Sequence, residues 1–221
     1  MAAGSGPTLS ATYAQRVDLS VEDRQRLAGD AGPAARLAMR IVVRLAESMG
    51  VDRLLDITGA HVDSCLYHGQ SGLDFAGRLV EGGASVAVPT TLNVSSLDLL
   101  HPELHRGDEA EGEAARRLAE MYEKMGCQPT WTCAPYHLEN RPSLGEQVAW
   151  AESNAIVFAN SVLGARTARY GDLIDISAAI TGRVPAAGLH LDENRRATIL
   201  IRLQDISPDL LNIDQVYPLL G

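Results

Sequence analysis

The chain has 221 residues, 46% of them apolar and 21% charged, with a net charge of −9. This is the balance of a globular protein with room for one sizeable core. The acidic excess without a basic block argues against a nucleic-acid binder, no apolar run nears the roughly 20 residues of a membrane span, and three cysteines do not make a disulfide framework. A reducing cytoplasm is the expected setting.

In chain order, residues 1–18 are expected to be a flexible leader and 19–221 one folded unit. Ser20 and Asp23 in "DLSVEDRQRLAG" form a box-like start for a short helix. In "GPAARLAMRIVVRLAESMG", Leu37, Ala38, Ile41, Val42, Leu45 and Met49 recur at three- and four-residue steps, which predicts a packed helix stopped at Gly50. "VDRLLDIT" predicts a buried strand, "GLDFAGRLVEGG" a helix, and "ASVAVPTT" a second strand. A loop containing "HPELHRGD" leads to the helix "EGEAARRLAEMYEKMG", and "QPTWTCAP" is strand-like up to Pro135. "SLGEQVAWAESNAIVFANSVLGA", with Ser143 and Glu146 as a capping box, predicts one buried helix broken near Asn154. "DLIDISAAITG" predicts a further helix and "RATILIRL" a last strand.

This alternation predicts an α/β fold, with helices layered around a largely parallel sheet. Open sheets of that kind bind ligands at the carboxyl ends of their strands. The polar residues expected there are His61, Asp63, Ser64, Cys65, Tyr67 and His68 after the first strand, and Thr90, Thr91 and Asn93 after the second. Glu152, Ser153 and Asn154 interrupt the long apolar run, and Asn160, Ser161 and Arg166 close it. A carboxylate at Glu152 in such surroundings is a candidate acid or base. "GLHLDENRRA" adds a further polar knot before the last strand.

Cys127 and Cys133 are six positions apart, roughly 20 Å in an extended strand. At that separation they share neither one metal ion nor a disulfide. Cys133, at the carboxyl end, is the functional candidate, and Cys127 is expected to be a small buried hydrophobe. No glycine-rich phosphate loop, zinc-type His spacing or G-x-S-x-G elbow is present. The residues therefore point to an enzyme with a polar site on one sheet edge and leave its reaction unnamed.

Taken together, "AHVDSCLYHG", "VPTTLN", "PTWTCAPY", "GEQVAWAESNAIVFANSVLGART" and "GLHLDENRRAT" resemble, in order and spacing, the aconitase X family of aconitase-superfamily dehydratases. The resemblance runs from about residue 19 and covers the amino-terminal part of that family's large catalytic domain. It implies a lyase that removes water from a small hydroxy acid, with an iron–sulfur cluster as Lewis acid. One branch of the family acts on cis-3-hydroxy-L-proline, the branch the wording here is nearer to, and the other on 5-phosphomevalonate. Cys133, and less firmly Cys65, match cluster-ligand positions. His61 and Glu152 are then the expected catalytic groups, and Ser64, Thr90, Thr91, Asn93, Asn160, Ser161 and Arg166 the expected substrate contacts. The ending "DLLNIDQVYPLLG" reads as a cut within a longer protein. The remaining cluster ligands and a small swivelling domain or subunit are expected beyond residue 221, and an inactive or scaffolding fragment is the competing expectation.

Overall fold

The structure, a computed structural model, describes residues 17–104 and 106–213. The expected leader at 1–16, His105 of the "HPELHRGD" loop and the final segment 214–221 lie outside the described residues. Val17 and Asp18, expected in the leader, instead belong to the fold. Val17 is buried and Asp18 bridges to Arg53.

Helix α1 (Val21–Ala28) starts on the expected capping box. Ser20 Oγ accepts from Asp23 N at 3.1 Å, and the Asp23 carboxylate accepts from Ser20 N. Helix α2 (Pro33–Ser48) has its proline in the first turn, where a missing N–H costs nothing. It buries Ala34, Ala38, Met39, Val42, Val43 and Ala46 along one stripe. Helix α3 (Gln70–Glu81) ends at Gly82, where a Cβ would lie 2.9 Å from Ala34 N, so the end of α3 abuts the start of α2 only with glycine there. Helix α4 (Glu109–Lys124) is capped by Asp108, whose Oδ1 accepts from Ala110 N at 2.7 Å. Helix α6 (Ile174–Thr181) is buried from Asp175 to Thr181, polar residues included. These helices occupy the segments in which periodicity expects them.

The strands depart from expectation. "VDRLLDIT" contributes only β1 (Leu54–Asp56), which pairs antiparallel with β5 (Arg183–Pro185) in a separate two-stranded sheet. The central strand is the next segment, β2 (Gly59–Val62). It runs parallel to β3 (Thr90–Leu92) on one side and to β4 (Val148–Trp150) on the other. His61, Thr90 and Thr91 therefore lie within strands rather than beyond them. β4 comes from the run expected to be a long helix. The Ser143–Glu146 hydrogen bond closes a turn instead of capping a helix, and helix α5 (Ser153–Phe158) begins only after β4, passing into a π-helical turn at Ala159–Leu163. An apolar run of this length does not distinguish a buried strand from a buried helix by periodicity.

"QPTWTCAP" is irregular beyond one bridge at Gln128. Thr130 Oγ1 both donates to Leu92 O and accepts from Leu92 N, taking the place of a ladder residue. "RATILIRL" forms no strand among the described residues; Ile199, Leu200 and Ile201 are exposed, with no neighbouring strand to pair with. One further short helix, α7 (Pro208–Leu211), follows it.

One face of the parallel sheet, through Ala60, Val62, Leu92 and Ala149, packs on α3, α4 and α6 in the main core. The other face carries His61 with its register partners Thr91 and Trp150. Residues 128–142 cover it, enclosing a cavity of about 550 Å³ between them and the strands. Arg183 of β5 ties α1 to this frame through the buried carboxylate of Asp23 at 2.9 Å. Burial alone would raise the Asp23 pKa, but the hydrogen bonds from Arg183 and Ser20 together hold it below the ordinary carboxylate value.

Candidate functional site

Each parallel strand delivers one polar side chain just past its carboxyl end: Asp63 from β2, Asn93 from β3 and Glu152 from β4. Two backbone bonds extend the ladder far enough to bring them together, Asn93 N to Val62 O and Ala151 N to His61 O, both at 2.9 Å. Asn93 is buried, and its amide nitrogen donates to Asp63 Oδ1 and to Glu152 Oε2. Its carbonyl oxygen accepts from Val94 N at 2.7 Å. Both amide hydrogens are thus spent on two carboxylates that would otherwise repel each other.

Glu152 has φ 71°, a left-handed conformation that costs a non-glycine residue on the order of 1–3 kcal/mol. Such strain persists where surrounding contacts over-determine it, often at functional sites. Burial, and next the charge of Asp63, raise the Glu152 pKa above its ordinary value, against the hydrogen bonds from Asn93 and Cys133. Cys133 is partly exposed beside it, with its thiol donating to the Glu152 carboxylate. Burial and the Glu152 charge push that thiol up. Asn154 Nδ2 anchors the cysteine backbone, donating to Cys133 O at 2.8 Å.

His61 lies one layer beneath. It is fully buried; Nδ1 is 2.8 Å from Thr91 Oγ1, Nε2 has no partner among the described residues, and Trp150 meets the ring edge-on. Burial pushes the imidazole down to about 4, so it is neutral near pH 7.

The other expected site residues are placed elsewhere. Ser64 is buried and donates to Asp175. Thr90 is buried and donates to Val88 O at 2.8 Å. Asn160, near the start of the π-helical turn, donates to Ile156 O and Thr167 O and accepts from Arg195 at 2.8 Å. Ser161 is exposed on that turn. Arg166 pairs with Asp192 at 2.5 Å and donates to His190 O. Asn160 and Arg166 belong to a second polar network, which no hydrogen bond among the described residues joins to Asp63, Asn93 or Glu152. Its centre is His190, buried between Gln147 Oε1 at 2.6 Å and Tyr170 O–H at 2.5 Å.

Sequence reasoning named Asp63 without assigning it a role, and missed Asp175 altogether. The available signal was an acid within each of two apolar stretches, Asp63 in "AHVDSC" and Asp175 in "LIDIS". A buried carboxylate needs partners.

The thiols test whether this chain holds an iron–sulfur cluster by itself. Cluster irons are bound by sets of thiolates. Cys65 is buried with its sulfur donating to Val62 O and Asn93 O, and burial pushes it far above its ordinary value. Burial pushes Cys127 up to about 12. Cys133 alone is accessible, and among the described residues no group of three or more His, Cys, Asp or Glu is arranged to hold a metal ion. This chain's residues fit one ligand of a cluster and not a complete set. Among the described residues, no helix is long and apolar enough to cross a membrane.

Two carboxylates, an amide and a thiol thus gather at the carboxyl ends of the parallel strands, the edge at which open α/β sheets bind ligands. The Aconitase X first domain family matches residues 16–193. The chain is 52% identical over 204 residues to a cis-3-hydroxy-L-proline dehydratase of Pseudomonas aeruginosa, covering 92% of this chain and 34% of that protein. It is 46% identical to the protein of the same name from Hypocrea jecorina, covering 96% and 36%. The phosphomevalonate dehydratase large subunit of Thermococcus kodakarensis is 43% identical, with 83% and 46% covered. The crystal structure of aconitase X from the same archaeon, in its holo form, superposes with a TM-score of 0.75 at 43% identity, over 82% of this chain and 45% of that one. This chain belongs to the aconitase X family, and it spans about a third to a half of the length of these relatives.

Proposed function

We propose that the chain is the amino-terminal part of a hydro-lyase that removes water from cis-3-hydroxy-L-proline. The observation that carries this reading is the Asp63–Asn93–Glu152 cluster. Glu152, strained and with a raised pKa, is the base that takes the proton beside the substrate carboxylate and returns it to the departing C–OH oxygen, so that a C=C bond forms and the hydroxyl leaves as water. Asn93 holds both carboxylates at fixed positions, Cys133 borders Glu152, and the His61–Thr91 pair lies in the layer beneath. Asp63 and Glu152 together favour the ring ammonium of an amino-acid substrate. A phosphate ester would need a cation, and among the described residues neither carboxylate nor Asn93 has an Arg or Lys partner. Arg166 and Arg195 are committed to Asp192 and to backbone and amide oxygens. The two hydroxyproline relatives also exceed the phosphomevalonate subunits in identity.

Cys133 is the thiol this chain would contribute to an iron–sulfur cluster, which as a Lewis acid would accept the departing hydroxyl. The remaining ligands and the part that closes over the substrate fall to the rest of the enzyme. The three free thiols accord with a reducing, cytoplasmic setting.

The test is the full-length enzyme assayed on both substrates. Turnover of cis-3-hydroxy-L-proline, abolished in Glu152→Gln, is the expected result. Preference for 5-phosphomevalonate would overturn the substrate assignment, and an iron-free protein inactive on both would favour a scaffold.

A further inference from the structure

Asp175, the second residue of α6, is fully buried among apolar neighbours, Ile176, Ala178, Ala179 and Ile180. The packing of the helix gives no reason for a carboxylate at this position. Its partners do. One oxygen accepts from Asp63 N at 2.8 Å and Ser64 N at 3.0 Å; the other accepts from Ser64 Oγ at 2.8 Å and Ile176 N at 2.6 Å. A carboxylate offers about four lone-pair sites. Three of the donors filling them come from the turn that follows β2.

Those two backbone N–H groups need an acceptor. The ladder ends at Val62, whose carbonyl is taken by Asn93 N, and the turn closes back on itself through Leu66 N to Asp63 O at 3.0 Å. Without Asp175, N–H groups next to a buried segment would be orphaned, which is costly. The arrangement is braced from a third element. Ser64 spends its single proton on Asp175, so the buried Tyr122 of α4 donates its O–H to Ser64 Oγ at 2.7 Å.

Resting on the reading of Asp63 and Glu152 as the working carboxylates, we infer that Asp175 is a positioning residue, which fixes the Asp63–Ser64 backbone so that the Asp63 side chain meets the Asn93 amide opposite Glu152. Asp175 touches neither substrate nor reacting atoms and acts through Asp63.

The test compares Asp175→Ala, Asp175→Asn, Asp63→Asn and the Asp175→Asn/Asp63→Asn double variant in the full-length enzyme, by kinetics and by amide hydrogen exchange. In Asp175→Ala, protection at Asp63 and Ser64 should fall about 100-fold while Ala60–Val62 keep theirs. kcat should fall about 100-fold, the scale of a 1 Å misplacement, with KM within about threefold. Asp175→Asn keeps one acceptor oxygen and should recover about tenfold in both readouts. The double variant should be no slower than Asp63→Asn alone, as expected for residues acting through one another. Unchanged protection at residues 63 and 64, or losses that multiply in the double variant, would overturn the inference. Should the alanine variant fail to fold, the asparagine variant carries the same readouts. A wild type without dehydratase activity removes the proposed function, and the exchange measurement then still decides whether Asp175 holds the turn.

Discussion

Two polar assemblies in this molecule differ in how far their groups satisfy one another. The Gln147–His190–Tyr170 group, with Arg166, Asp192, Asn160 and Arg195 around it, satisfies itself. Both His190 nitrogens are bonded, and Arg195 donates to Leu189 O, Asn160 O and Ala165 O as well as to the Asn160 side chain. The cluster at the ends of β2, β3 and β4 is different. Two carboxylates share one amide with no cation beside them among the described residues, one of them sits on strained backbone, and a partly exposed thiol adjoins them. Polar density is similar in both; what separates them is whether each group's needs are already met. Self-satisfied networks stabilise a fold, whereas groups left short of partners remain available to a ligand.

Four experiments sharpen or break that contrast. The largest effect belongs to Asn93→Ala in the full-length enzyme, which removes the shared donor. kcat/KM should fall about 10²–10⁴-fold, the range of general acid–base contributions, with little change in the denaturation midpoint. A stability loss with intact catalysis would reverse the roles of the two assemblies. Next, Tyr170→Phe leaves His190 Nε2 buried and unpartnered, at a cost of about 1–3 kcal/mol. Chemical denaturation should show that loss, with kcat within twofold of the wild type.

The third is the pH dependence of stability. Burial holds His61 and His190 near 4 against an ordinary 6.5. Between those values the unfolded chain binds protons that the folded one does not, so stability is full above pH 6.5 and falls as pH drops towards 4, by up to about 3 kcal/mol per histidine. Asp175 opposes this, because burial raises it to about 6 and the folded state then holds the extra proton between 6 and its unfolded value. His190→Gln should remove about half of the histidine-driven decline. An unchanged pH profile in that variant would show that His190 is not held neutral. The smallest structural effect is expected from Cys133→Ser, within about 0.5 kcal/mol as for a partly exposed site. Iron bound by the full-length protein should nevertheless drop; unchanged iron content would remove Cys133 as a ligand.

Periodicity located α2, α3, α4 and α6 because each has an apolar stripe long enough to count, whereas the short α5 and α7 do not. The four-residue β2 and three-residue β3 and β4 carry no comparable signal. β4 in particular was hidden inside a continuous apolar run, with a true Ser143–Glu146 hydrogen bond misleading the assignment. Glu152, Asn93 and Cys133 were recognisable from polar character after apolar segments. Asn160 and Arg166 had the same character, and nothing in their local sequence tells that other groups already engage them.

By itself, then, the amino-acid order determined the helices, the α/β class and the family likeness, since these depend on local spacing and on motifs that survive as text. Tertiary structure alone decided which polar residues meet. Convergence of Asp63, Asn93 and Glu152 depends on the register of three strands drawn from distant parts of the chain. The buried anchorage of Asp63 depends on a carboxylate 112 positions further on, a separation at which no local pattern carries information.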